Sequence, residues 1–290
     1  MSAGLSAVTC LYDIGRDRID GRSIDVYIDR LNATLRIPMP FTIFLDPRIE
    51  TSRVRKKAED QIHQLPKEAL HSFGWLARVE EICRTSKRIK TRRDIAFHLP
   101  EYGVLVMSKI FMLQEAARLQ PRGNGLIWLD AAMARWFSGD LAQARVDTDF
   151  VQSLSDASLA VQITPMLARA LKHHRSGQHY VGTCHRLASG GDIYVSRRDV
   201  DRLAAAVTDM VENEWLPNGL WDNEQVALGC LLLNGFEGAK IVDVSMKFAC
   251  VLERLLSYPP RAPRRHSSII QRLRWHFGAR APSHDSRAAS

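Results

Sequence analysis

Three apolar stretches of this 290-residue chain each carry an aspartate at or near their end. Residues 7–14 read AVTCLYDI and hold Asp13; residues 40–46 read PFTIFLD and finish on Asp46; residues 125–131 read GLIWLDA and deliver Asp130. A carboxylate at the exit of a buried strand can hold a divalent cation, and a divalent cation neutralises a diphosphate. The same residue type also makes turns and helix caps. Asp46, followed by Pro47, fits the turn chemistry; Asp130, followed by Ala131 and Ala132, lacks turn formers beside it and fits the ligand chemistry.

Lys109 is a second candidate, because it interrupts an otherwise apolar run, VLVM before it and IFML after it, with only Ser108 between. A buried ammonium is costly without a partner. Lys109 therefore either snorkels to the surface or contacts a phosphate or carboxylate at the floor of a pocket. Two further segments hold polar groups at useful places. In SGGD, Gly190 and Gly191 let the backbone approach a ligand closely ahead of Asp192. In DNEQ, Asp222 is placed to cap a helix, with Gln225 three residues on, which leaves Glu224 uncommitted. Carboxylates at such a helix start suit proton abstraction from a hydroxyl. The sequence contains no GxxxxGK[ST], GxGxxG or HExxH, so it does not read as a P-loop enzyme, a nicotinamide Rossmann enzyme or a zincin.

The elements that must carry these residues alternate. Short apolar segments at 7–14, 40–46, 125–131, 192–196 and 238–244 predict strands. Helical spacing predicts helices over 24–36, 49–63, 66–83, 102–119, 165–174, 198–215 and 222–234. Residues 84–94 form a charge run suited to solvent, and residues 133–186 are weakly patterned. This alternation predicts an α/β fold with a mostly parallel central sheet covered by helices on both faces. Pro259-Pro260 marks the boundary between a body, 1–258, and a tail, 259–290.

Charge is distributed unevenly. Of the net +8, the segment 261–290 contributes +6 through seven arginines against Asp285, so the rest of the chain carries +2. A nucleic-acid-binding body would carry its own basic, aromatic-rich face, and none is evident, so no nucleic-acid partner is expected. Within the tail, SSIIQRLRWHF (267–277) alternates apolar residues with Arg272 and Arg274. Such a segment can lie on an anionic membrane surface. The five cysteines form no CxxC pair, which predicts reduced thiols packed in the core. The first fifteen residues have neither a basic n-region nor an apolar h-region, which predicts a cytoplasmic setting.

Taken in order, VTCLYDIGRDRIDGRS, PFTIFLD, MSKIFMLQEAA, GLIWLDAAMAR, SGGDIYVSRRDV and LWDNEQVAL resemble the bacterial HtrL/YibB family of glycosyltransferase-like proteins, over about residues 7–245. The resemblance implies a GT-A-like single domain that moves a sugar from a nucleotide-diphospho-sugar to a glycan or glycolipid acceptor at the cell surface. Thr9, Tyr12, Asp13 and Arg16 would then line the nucleotide pocket, and Arg22 would meet the diphosphate. Asp130 would stand in the D-x-D element and bind Mn²⁺ or Mg²⁺. The chain departs from that element, since Ala131 and Ala132 follow Asp130 and only one acid is present. Lys109, Gly190, Gly191, Asp192 and Gln225 would complete the donor site, and Asp222 or Glu224 would be the catalytic carboxylate. A second reading keeps the fold and its ligands but removes turnover, leaving a nucleotide- or glycan-binding scaffold.

Overall fold

A computed structural model describes residues 4–87, 95–120, 123–137, 141, 143–173, 175–184 and 186–257. The tail with its amphipathic segment, and His174 and His185, lie outside the described residues. Among the described residues there are nine strands: β1 Leu5–Leu11, β2 Phe41–Leu45, β3 Gln61–Gln64, β4 Gly125–Leu129, β5 Arg145–Val146, β6 Leu159–Ile163, β7 Asp192–Ser196, β8 Ala239–Val244 and β9 Leu256–Ser257. Among the described residues the α-helices are α1 Asp17–Asp20, α2 Ile24–Thr34, α3 Leu76–Thr85, α4 Ile95–His98, α5 Pro100–Leu119, α6 Thr148–Ser153, α7 Pro165–Lys172, α8 Val200–Asp209, α9 Glu224–Leu233 and α10 Cys250–Leu255.

Seven strands form one sheet in the order β3-β2-β1-β4-β7-β6-β8. Only β7 runs against its neighbours: it is antiparallel to both β4 and β6, while the other pairings are parallel. This is the expected α/β architecture, a mostly parallel sheet with helices on both faces, and it is consistent with a single-domain GT-A-like fold. β5 and β9 form a separate two-stranded ribbon. None of the described helices is long and apolar enough to cross a membrane.

Side-chain alternation sorts the two faces. Val8 of β1, Leu126 and Trp128 of β4, and Ile193 and Val195 of β7 pack with α3, α5, α8 and α9. Ala7, Leu11, Ile127, Leu129 and Tyr194 pack on the other face with α2 and α10. The helix α5 is buried around most of its circumference, which accounts for its lack of a polar stripe. Pro100 opens it at the position where a missing N–H costs least. Each large apolar side chain withdrawn from water here contributes about 1.5–3 kcal/mol.

Several sequence expectations change. The helix expected over 49–63 is instead a short 3-10 turn, Thr51–Arg53, followed by β3 at the sheet edge. The helix expected over 66–83 is two 3-10 turns leading into α3. The stretch 198–215 is α8 followed by a π-helical turn, Met210–Trp215. Strand β6, which lies inside the sheet, arises from the weakly patterned region 133–186.

Candidate functional site

A cavity of about 260 Å³ opens at the carboxyl ends of β1 and β4, where ligands gather in open α/β sheets. Tyr12, Asp13, Ile14, Arg16 and Arg22 line it from the segment after β1, Asp130 to Ala132 and Arg135 from the segment after β4, and Lys109 from α5. The segment after β1 is anchored from the next strand. Asp46, buried at the exit of β2, accepts the backbone N–H of Asp13 (3.2 Å) and binds the Arg48 guanidinium (2.6 Å), which in turn donates to the Asp13 carbonyl (2.5 Å). Desolvation works to raise the Asp46 carboxyl, but these hydrogen bonds hold it below the usual range. Asp13 accepts the N–H of Gly15 (3.0 Å), and Gly15 takes the left-handed conformation that the turn requires. Asp46 is thus the turn residue that Pro47 suggested, and it positions the loop that carries Arg16.

At the floor of the cavity Lys109 is buried and holds three oxygens. Its Nζ lies 2.9 Å from Asp130 Oδ1, 2.7 Å from Glu224 Oε1 and 2.8 Å from the Gly190 carbonyl. Three acceptors match the three N–H donors of an ammonium. Desolvation would lower the Lys109 ammonium, but Asp130 and Glu224 outweigh it and drive the net shift upward, so Lys109 stays charged. The Glu224 carboxyl moves up through burial, with Lys109 opposing. Asp130 Oδ1 also accepts the indole N–H of Trp128 (2.8 Å). Trp128 and Asp130 sit two residues apart, so both point to the α5 face of the sheet, and this parity delivers the carboxylate to Lys109.

The mouth of the cavity is aromatic and cationic. The Arg16 guanidinium lies 4.8 Å from the Tyr102 ring centre and 5.8 Å from that of Tyr27, spanning α5 and α2 by cation–π contacts. Arg30 lies 5.5 Å from the Tyr27 ring on its other contact. Desolvation lowers the Arg135 guanidinium, and the like charges of Arg30 and Arg22 lower it further. The buried hydroxyls of Tyr12 and Tyr27 find no hydrogen-bond partner among the described residues. Cys10 also lines the cavity, but burial pushes its thiol up to about 12, which leaves no thiolate nucleophile at neutral pH.

Of the residues expected from sequence, Tyr12, Asp13, Arg16, Arg22, Lys109 and Asp130 come together around the cavity. Gly190 and Gly191 do not line it but touch two residues that do, through backbone: Gly190 accepts from Lys109, and the Gly191 carbonyl accepts the N–H of Asp130 (2.9 Å). A Cβ on Gly190 would meet Glu224 Oε1 at 2.1 Å, so only glycine lets this carboxylate reach Lys109.

The structure places the other expected residues away from the cavity lining. Thr9 shares the parity of Ala7 and Leu11, is wholly buried mid-strand and does not line the cavity. Asp192 shares the parity of Tyr194 and points to the opposite face, where its Oδ2 accepts the N–H groups of Val251 (2.8 Å) and Leu252 (3.1 Å) at the start of α10. Burial raises its carboxyl to about 7 despite those bonds. Asp222 is buried away from the cavity and accepts the N–H of Gly182 (2.7 Å) and of Asn223 (2.9 Å). The helix cap falls on Asn223, which accepts from Gln225 and Val226, and Gln225 does not line the cavity. Glu224 reaches the site only through Lys109.

Sequence reasoning missed Tyr27, Tyr102 and Arg135. Their signal is faint: Tyr27 lies inside the helix predicted over 24–36, Tyr102 opens the one predicted over 102–119, and Arg135 is one arginine among many.

The donor set offers a metal little. Asp130 Oδ1 is committed to Lys109 and Trp128, which leaves Oδ2, and the other carboxylate nearby, Glu224, faces the ammonium. Among the described residues no group of three or more His, Cys, Asp or Glu side chains is placed to hold a metal ion. These residues do not fit a carboxylate-held cation.

The fold and cavity define an α/β protein with a basic, aromatic-walled cleft at the carboxyl ends of its strands. No family model matches the chain, and no curated protein matches it.

Proposed function

We propose that this protein is a glycosyltransferase of the GT-A type that takes its sugar from a nucleotide-diphospho-sugar, as the resemblance to the HtrL/YibB family implies. One observation carries the reading: a single cleft joins a cationic wall, Arg16, Arg22 and Arg135, to tyrosines whose hydroxyls lack partners. A nucleoside diphosphate meets both needs. Its phosphates offset the guanidiniums, and its base and ribose supply partners for Tyr12 and Tyr27, each orphaned hydroxyl costing about 1–3 kcal/mol if left alone.

In this reading the acceptor oxygen bonds to the sugar's anomeric carbon as the carbon–phosphate-oxygen bond breaks. The diphosphate leaves with the electron pair, and the acceptor's proton passes to a carboxylate. Asp130 Oδ2, unengaged and partly exposed, is placed for that proton. The aromatic pair Trp136 and Phe248, stacked at 4.5 Å and partly exposed, adjoins Arg135 and forms the acceptor-side surface. A glycan or glycolipid of the lipopolysaccharide or capsule type is the acceptor class, met at the inner face of the cytoplasmic membrane.

Thermal unfolding with UDP, GDP, CDP and their sugars tests this, because a ligand at a hundred times its Kd stabilises the folded state by about 2.7 kcal/mol. Binding together with release of nucleoside diphosphate from one sugar donor, with release but not binding lost or weakened in Asp130→Asn, is the expected result. Binding without release favours the catalytically silent scaffold instead, and no binding overturns both.

A further inference from the structure

The Lys109 cage has the donor composition of a small cation site, two carboxylates and one backbone carbonyl, with an ammonium already at its centre. We infer that the cleft binds the diphosphate of its donor without a divalent cation: Arg16, Arg22 and Arg135 take the phosphate charge, and the Lys109 ammonium fills the place a metal would need. This rests on the nucleotide-sugar reading above.

Four observations support it. First, the Lys109 ammonium donates to Glu224 and Gly190 and is ion-paired with Asp130 at 2.9 Å, so it acts as a fixed internal charge and not as a mobile phosphate contact. Second, a divalent ion bound at Asp130 Oδ1 would share one oxygen with an ammonium 2.9 Å away, where like charges repel strongly in a partly buried site. Third, the second acid of a D-x-D element is replaced by Ala132, which has no side-chain oxygen to offer. Fourth, the cavity wall gathers Arg16, Arg22 and Arg135, facing Asp13 and Asp130 as the only acids that line it among the described residues. Asp13 is turned onto Gly15. Guanidiniums present planar forks that match phosphate oxygens in pairs, which a point-charge cation does not. The crowding of Arg135 by Arg30 and Arg22 is the state that a bound polyanion relieves.

Isothermal titration of the full chain with UDP, GDP and CDP decides the matter, run in metal-free buffer with EDTA and again with Mn²⁺ or Mg²⁺. The expected result is that the preferred nucleotide binds with the same Kd, within about twofold, in all three buffers. Arg22→Gln and Arg135→Gln each weaken it by about tenfold or more, with or without metal. Arg135→Lys, which keeps charge but not the fork, falls between Arg135→Gln and wild type. Unfolding curves of these variants confirm that the fold is intact. Binding that collapses in EDTA and returns with Mn²⁺ overturns this inference and leaves the nucleotide-sugar reading standing. Failure of every nucleotide to bind in every buffer overturns both. Arginine variants that bind like wild type overturn the guanidinium assignment even where binding is metal-free.

Discussion

Replacing Lys109 by methionine keeps the volume of the side chain roughly constant and removes its charge, so the variant measures the ion lock with little change in packing. Asp130, 43% exposed, turns to solvent at small cost. Glu224 cannot, because it is 2% exposed and Lys109 is its ion-pair partner. Removing one member of a buried pair costs about 3–5 kcal/mol, or about 6–20 °C in Tm for a body of this size. Glu224 can escape by taking a proton. Burial already raises its carboxyl, and the neighbour that opposed the rise is gone. In the variant the folded-state pKa therefore lies further above the unfolded value. The native state then binds more protons than the unfolded chain, and stability falls as pH rises from the ordinary carboxylate value toward the folded one. The penalty is smaller at pH 5.5 than at pH 8. Urea unfolding followed by circular dichroism at both pH values reads this directly. Adding Glu224→Gln to Lys109→Met recovers most of the loss, because a neutral amide needs no counter-ion. A loss below about 1 kcal/mol at pH 8, or one that does not shrink at pH 5.5, would refute the lock as drawn here.

Three further outcomes are expected. Asp192, raised to about 7 by burial, contributes stability that is full at low pH and is lost between about pH 4 and pH 7. Melts of Asp192→Asn across that range show a slope flatter by up to about 1.4 kcal/mol per pH unit than wild type. Gly190→Ala drives a methyl into Glu224 Oε1 and costs about 1–3 kcal/mol, whereas Gly191→Ala crowds the flexible end of Met133, with Asp130 Oδ2 at ordinary contact distance, and costs less; paired chemical denaturation curves rank them. On the proposed glycosyltransferase reading, Asp130→Asn lowers sugar transfer while leaving Tm nearly unchanged, and Asp222→Ala, which strips partners from Gly182 and Asn223, lowers Tm by several degrees; nucleotide release and melting measured side by side separate the two roles.

How far the sequence foretold this arrangement depended on which physical signal each residue carried. Runs such as FTIFL, GLIWL and DIYVS are apolar on both faces, and they became strands of the central sheet within a residue or two of their expected ends. β3 was mistaken for helix because QIHQ has no buried face of its own; its strand state comes from pairing with β2. β6 is five residues flanked by polar turns, too short for period to separate strand from helix. For the site, the exits of β1 and β4 were readable, since parity and an abrupt change from apolar to polar mark a strand end. The partition of carboxylates was not. Asp130, Asp192 and Asp222 look equally chemical in one dimension, and only the fold decides the rest: the face of the sheet sends Asp130 to Lys109 and Asp192 to backbone N–H groups, and the loop before α9 turns Asp222 onto Gly182. Lys109 itself was legible as an anomaly, though its partner Glu224 lies 115 positions away.

That separation bears on how the protein is made. A ribosome adds about 5–20 residues per second, so some 6–23 seconds of synthesis pass between the appearance of Lys109 and that of Glu224. Through that interval β1, β2, β3 and β4 can pair and α5 can begin to cover them, but an ammonium in the middle of α5 would be driven into an apolar interior with only Asp130 to receive it. The neighbouring strands arrive out of spatial order as well, since β7 must slot between β4 and β6, and β8 completes the far edge after both. The early half of the nascent chain is thus kept from sealing its core before the late half arrives. The charge that organises the finished cleft also delays its closure, and an apolar residue at position 109 would allow the first four strands to collapse with α5 ahead of time.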